Sequence, residues 1–260
     1  MGRSAPRRGL ATLSILGVLL SAPPALGDAP ELKVLTAGAF RGVLSAATPS
    51  LEAAAHAKLQ VQGDTAGGLV KRIEGGEPFD AVILPMGGLA KLTGEGKVEA
   101  ASVRPVAKVG IGIAVKAGAP LAPPRTVEQF KAMLLAARSI AYIDPASGGS
   151  SGIYLAGLLE RLGIAEPMRA KSVLVSGGIA AEKVVSGEAE LAMQQVSEIV
   201  GVPGVVLAGP LPEEIQSYTT YGIGVSSAAT SQDSARAFSR ALAAPGVSEL
   251  VRSKGMEPAQ

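Results

Sequence analysis

Along most of the chain a short apolar run gives way to a few small residues, then to apolar residues spaced by three and four, and this unit recurs. In ELKVLTAGAFRGVLSAA the run ends near Leu35, small residues fill 36–39, and Phe40, Val43, Leu44 and Ala47 follow the helical period. Thr48-Pro49 reads as the cap and first-turn proline of a restarted helix. KLQVQGDTAGGLVKRIEGG repeats the unit as strand 59–61, loop 63–67, helix 69–74 and a stop at Gly75. FDAVILP is a continuous apolar strand, and Thr126 and Gln129 stand at capping-box spacing at the head of TVEQFKAMLLAA. RSIAYI has the length of a buried strand and runs into the small-residue loop DPASGGSSGIY, residues 144–154. Leu155, Leu158, Leu159 and Leu162 then carry the next helix. SVLVSGGIAAEKVVSGEAELAMQQ adds a strand, a loop at 176–178, a helix and a strand. This alternation predicts an α/β fold of mixed, mostly parallel sheets flanked by helices, with any ligand at the carboxyl ends of the strands.

Two longer strands interrupt the alternation, AKVGIGIAVK at 107–116 and TTYGIGVSS at 219–227, each with a Gly-Ile-Gly core. They are either the two passages of the chain between a first and a second lobe, or ordinary sheet strands whose glycines relieve crowding. Periodicity leaves both readings open.

The first residues change the charge argument. Arg3, Arg7 and Arg8 precede an apolar run at 10–20, two prolines and a small-residue end at Ala25-Leu26-Gly27. That is the layout of a secretory signal peptide over 1–27, with cleavage near Gly27/Asp28, and the run is shorter than the roughly 20 residues a spanning helix needs. Both the ordinary secretory route and, through Arg7-Arg8, a twin-arginine route remain open. Without this segment the formal net charge passes from +2 to −1, so the basic surplus of a nucleic-acid binder is missing. The chain has no cysteine and a single histidine, His56, which excludes a disulfide framework, thiolate metal ligands, histidine clusters and the usual catalytic triads.

The loops narrow the chemistry further. DPASGGSSGIY lacks the Gly-Lys-Ser/Thr of a nucleotide phosphate loop, the G-x-G-x-x-G of a dinucleotide fingerprint and the G-x-S-x-G of a nucleophile elbow. What survives is a small neutral or anionic solute held by backbone N–H and hydroxyl groups at helix starts brought together from several loops.

At this point the residues resemble a family. Thr36-Ala37-Gly38-Ala39-Phe40, Ala66-Gly67-Gly68-Leu69 before Arg72-Ile73-Glu74-Gly75-Gly76, Pro78-Phe79-Asp80-Ala81-Val82, and Asp144-Pro145 with Gly152-Ile153-Tyr154 look like the periplasmic molybdate-binding proteins of ABC importers, in the same order. The resemblance implies a two-lobed periplasmic-binding-protein fold with two crossing hinge strands. It implies closure on a small oxyanion without metal or cofactor, a membrane permease as partner, and a periplasmic monomer. Lobe 1 is then expected at 28–107 plus 222–260 and lobe 2 at 108–221.

The family's ligand positions fall, on this chain, at Gly38 and Ala39, Thr65 and Ala66, Ser151 and Gly152, Gly177 and Gln195. Ala39 and Ala66 stand where the family has serines, and Gln195 where it has a tyrosine, so two hydroxyls and a phenol are missing. The expected function is capture of a molybdate- or tungstate-like oxyanion; the alternative is a small organic acid, for which Ala39 and Ala66 leave room. An enzyme is not expected: Asp80 and Asp144 fit strand-end and turn roles, and Glu198 is the one acidic group that invites attention. A sensor or chaperone partner without a solute is a third class.

Overall fold

The computed structural model describes residues 1–2, 29–119 and 122–259; all but the first two residues of the segment read as a signal peptide lie outside them. β1 (Glu31–Ala37) leads to α1 (Gly38–Ala55), β2 (Lys58–Asp64) to α2 (Ala66–Glu74), and β3 (Ala81–Pro85) to α3 (Met86–Gly94). The long β4 (Arg104–Lys116) precedes α4 (Val127–Ala136), β5 (Ile140–Ile143), α5 (Ser150–Arg161), α6 (Ala165–Arg169) and β6 (Ser172–Val175). Then come α7 (Glu182–Val185), β7 (Leu191–Gln195), α8 (Val196–Ile199) and β8 (Val205–Pro210). β9 (Tyr218–Val225), α9 (Gln232–Leu242), α10 (Pro245–Ser253) and β10 (Glu257–Pro258) follow.

The strands form a curled mixed sheet in the order β2-β1-β3-β9-β4-β7-β5-β6, and the fold is two-lobed α/β. β1 is parallel to β2 and β3, and β5 to β6 and β7, so the two flanks match the expected parallel pattern. The middle does not, because β4 and β9 run antiparallel to their neighbours. A strand that carries the chain onward into another half of the sheet needs no crossover helix, and antiparallel pairing is open to it.

β4 is the strand shared by both halves. Residues 104–110 pair with β9, while 111–116 pair with β7 and β8. β9 itself pairs only with β3 and the first part of β4, so the chain comes back just ahead of it, near Gln216. There the Gln216 side chain accepts from the Ile111 N–H and donates to the Ile111 carbonyl, both at 2.9 Å, and so ties the outgoing and returning segments together.

Apolar packing follows the same division. One core joins Leu32, Leu35, Phe40, Leu44, Ile83 and Leu84 to Tyr221, Ile223 and Phe238. A second gathers Ile113, Phe130, Leu134, Ile140, Leu155, Leu158 and Met193, and an alanine-rich third lies around Ala141, Ala180, Ala181 and Ala192.

Two local expectations are corrected. α1 is not restarted at Thr48-Pro49; it runs through Pro49 to Ala55. The Thr48 hydroxyl donates to the Leu44 carbonyl and the Ser50 hydroxyl to that of Ala47, each at 2.8 Å, while Ala47 and Leu51 keep the buried stripe unbroken. Nor is there a loop at 36–39: β1 keeps its register with Gly63 and Asp64 of β2 through Thr36 and Ala37, and the helix begins at the next residue.

Candidate functional site

A cavity of ≈ 400 Å³ lies between the lobes, at the carboxyl ends of β1, β2, β5 and β7. Strand-to-helix junctions supply its walls. α1 starts at Gly38 behind Ala37 and α5 at Ser150 behind Gly149, and neither start has a side-chain cap or an acidic residue in its first turn. Their first N–H groups, with the positive ends of the helix dipoles behind them, therefore have no acceptor from their own caps or first turns.

The start of α2 is different. The Thr65 hydroxyl accepts from the Gly68 N–H at 3.0 Å and spends its only proton on the Ser147 carbonyl across the cleft, at 2.5 Å. Beside it the Gly67 N–H donates to the Gly148 carbonyl at 3.0 Å. These two bonds latch α2 to the loop before α5. The approach is so close that a Cβ on Gly67 would lie 2.8 Å from the Gly148 Cα. The lobes are thus already in contact, and ≈ 400 Å³ is the space left behind the latch.

Gly38, Ala39, Thr65, Ala66, Ser151 and Gln195 all line the cavity. Gly152 does not; it packs on the Ile143 carbonyl beneath the loop. In the fourth loop Gly178 takes the place expected of Gly177, because the Gly178 carbonyl accepts from Gln194 Nε2 at 3.0 Å and holds that residue against the wall.

The wall also holds residues that the sequence reading missed. Tyr221 of β9 brings a phenol to the side where Gln195 stands, so a phenol is present after all, from a different strand. Gln195 Nε2 donates to Ser150 Oγ at 3.3 Å and Thr219 Oγ1 at 3.1 Å, and Ser150 Oγ lies 3.3 Å from the Tyr221 hydroxyl. Gln195 is 1 % exposed and its Oε1 has no partner among the described residues. An orphaned acceptor of this kind normally costs about 1–3 kcal/mol, which marks it as a group reserved for something else. Burial, and then the nearby Glu198, push the Tyr221 phenol up, so it stays protonated.

Arg41 and Glu198 are the two charges of interest. Arg41 lies one helical turn beyond Gly38 on the same face, with its guanidinium over Gly63, where a Cβ would meet Nη2 at 2.5 Å. Among the described residues it makes no ion pair. Glu198 projects from α8 against the start of α1, and a Cβ on Gly38 would sit 2.6 Å from its Oε1. Desolvation pushes its carboxyl up to about 8, against a hydrogen bond from Gln194 and the attraction of Arg41. The helical period could have flagged Arg41; nothing local flags Tyr221.

Residues 32–257 match the family of bacterial extracellular solute-binding proteins. The chain belongs to that family. A curated relative of this solute-binding protein, the aconitate isomerase of a Pseudomonas species, is 31 % identical over 257 residues, 96 % of this chain and 97 % of that protein. Among solved structures, the Azotobacter vinelandii periplasmic molybdate-binding protein aligns with a TM-score of 0.70 at 18 % identity, over 88 % of this chain and 100 % of the other. The L-phospholactate-bound PEB3 structure aligns with a TM-score of 0.65 at 14 % identity, over 87 % and 99 %. These structures share the fold. No helix among the described residues is long and apolar enough to cross a membrane.

Proposed function

We propose that this solute-binding protein is exported to the periplasm, captures a small organic acid bearing two or three carboxylates, and hands it to the permease of an ABC importer. The observation that carries the reading is the unpaired Arg41 guanidinium beside two uncapped helix starts, in a cavity that keeps ≈ 400 Å³ with the latch made. That volume is within the ordinary range for small-molecule sites and far exceeds what a four-oxygen anion fills. A guanidinium grips a carboxylate through two parallel N–H bonds, and the helix starts supply donors for a second and third. The relative named for aconitate, a small tricarboxylate, supports this class.

In this reading Ser150, Ser151, Gln195 and Tyr221 provide the neutral contacts, with Gly38, Ala39 and Ala66 contributing backbone. Thr65 acts through the latch. The lobe bounds expected from the sequence, 28–107 plus 222–260 and 108–221, shift in this reading to 28–110 plus 217–260 and 111–216, because Gly110 still pairs with Tyr218 and Tyr221 packs in the first core. The hinge lies at Ile111 and Gln216, and the protein acts as a monomer. A molybdate-like oxyanion is the second reading, favoured by the uncapped starts of α1 and α5 and the shared fold of the molybdate-binding protein. Calorimetry separates them. Binding of trans-aconitate or citrate with no heat from molybdate, tungstate or sulfate is the expected result. Tight molybdate binding without any polycarboxylate binding overturns it.

A further inference from the structure

We propose that Glu198 is a catalytic residue, and that the cleft moves a proton between the two carbons flanking the central carbon of an unsaturated polycarboxylate, shifting its double bond. The proposal rests on the polycarboxylate reading above and takes its reaction from the name of the curated relative; what it adds is the residue that carries it.

The geometry singles this group out. Glu198 lines the same cavity as Arg41, Ser150, Ser151 and Tyr221, with its Oε1 held over Gly38, where the absent side chain leaves the carboxyl open to whatever lies at the start of α1. Among the described residues it forms no ion pair, whereas a carboxylate buried for structural reasons is ordinarily paired. Its support is polar and fixed. Gln194 below it is itself pinned, accepting from the Ala180 N–H at 2.7 Å and donating to the Gly178 carbonyl at 3.0 Å. Burial, which raises its pKa to about 8, puts the carboxyl in the range where it can both take and return a proton near neutrality. The other titratable groups of the wall fit supporting parts: Arg41 is a fixed cation, Tyr221 a protonated donor, and Asp64 is engaged with Arg72 at 3.3 Å.

The chemistry balances without any further reagent. The Glu198 carboxylate removes a proton from the methylene carbon, so a C–H bond breaks and an O–H bond forms. The released electron pair becomes the new double bond to the central carbon, and the old double-bond pair moves to the far carbon as an allylic carbanion spread onto the attached carboxylates. Arg41 and the N–H groups at the starts of α1 and α5 face that added negative charge, which is where preorganised donors lower a barrier. The far carbon then takes the proton back from Glu198, which is regenerated. The product has the formula of the substrate, a displaced double bond and the option of the opposite geometric isomer.

The test uses the mature chain, trans-aconitate as the unsaturated probe and propane-1,2,3-tricarboxylate as a saturated one. Proton NMR in D₂O should show deuterium entering the methylene position and the cis isomer accumulating. Glu198→Gln should lower that rate by about 100-fold or more, the scale of a lost general base, while still binding the saturated probe in calorimetry. Glu198→Asp, which keeps the acid but withdraws it by one methylene, should retain a measurable, slower exchange. Binding of both probes by the unmodified chain with no exchange overturns the proposal and leaves the polycarboxylate reading standing. Unchanged exchange in Glu198→Gln overturns the role of Glu198. No binding of either probe overturns the reading itself, and the proposal with it.

Discussion

Arg41 and Arg72 lie on consecutive helices of the same lobe, α1 and α2, and carry the same guanidinium in opposite circumstances. Arg72 is saturated: Nε meets Glu77 at 2.6 Å, Nη2 meets Glu77 at 2.7 Å and Gln62 at 2.9 Å, and Nη1 meets Asp64 at 3.3 Å. Lys33 completes the set with a 2.8 Å bond to Glu77, whose carboxyl is held down to about 2 by Arg72 first and Lys33 second. Arg41 has no such partners, and Glu198, which shares the cavity with it, is shifted the other way. Charge that the fold has already neutralised holds the lobe together, and charge left open is what a solute can use.

The comparison breaks most visibly if Arg41 is removed. Hydrogen bonds to charged groups contribute about 1.5–3 kcal/mol each, so Arg41→Ala should weaken polycarboxylate binding by roughly 10- to 100-fold in calorimetry. Its melting temperature should stay where it is. Arg72→Ala should do the reverse, lowering the melting temperature and sparing the dissociation constant. If both substitutions move the same quantity, the distinction between structural and available charge fails.

The latch offers the next largest effect. Gly67→Val places atoms where the Gly148 backbone now lies, so closure should be blocked, affinity should fall about tenfold for roughly 1.4 kcal/mol, and small-angle scattering should report an expanded particle with and without trans-aconitate. An unchanged affinity would mean that closure contributes nothing to capture.

The two carboxyls sharpen the contrast through pH. Glu77 is depressed from 4.5 to about 2, so its share of stability is present above 4.5 and is lost as pH falls through about 2. Glu198 is raised from 4.5 to about 8, so the folded chain holds that proton more tightly, and stability declines as pH climbs from 4.5 through about 8. Thermal melts should therefore flatten on the acid side in Glu77→Gln and on the alkaline side in Glu198→Gln. Polycarboxylate affinity should also drop above about 8, as an ionised Glu198 comes to repel the solute.

The smallest effect concerns the two alanines. Neutral hydroxyl donors contribute as little as about 0.5 kcal/mol each where backbone donors already cover the anion, so Ala39→Ser with Ala66→Ser should shift preference toward molybdate and tungstate by about fivefold. A competition titration measures the ratio directly.

How much of this could be read from the sequence depends on separation along the chain. The strand-helix units around Phe40, Leu69 and Leu155 were legible because each signal is contained within one turn or one strand. The neighbours of the cavity were legible only in part. Gly38, Ala39, Ala66 and Ser151 sit at helix starts that the pattern marks, but Tyr221 reaches Ser150 from 71 residues away and nothing local announces it. The fates of Thr65 and Gly177 were hidden for the same reason: Thr65 spends its hydroxyl on Ser147, 82 positions on, and the Gly178 loop is set by Gln194 from another strand. Pro49 misled because the buried stripe through Ala47 and Leu51 continues across it, and that packing outweighs the propensity of a single residue.

The latch also bears on time. The bonds from Thr65 to Ser147 and from Gly67 to Gly148 are bonds of protein to protein, so closure has a free energy of its own and does not wait on a solute. A solute must then queue for an opening that the chain makes at its own pace. In stopped-flow mixing, the observed association rate should climb with concentration only until it meets that opening rate, and then level off.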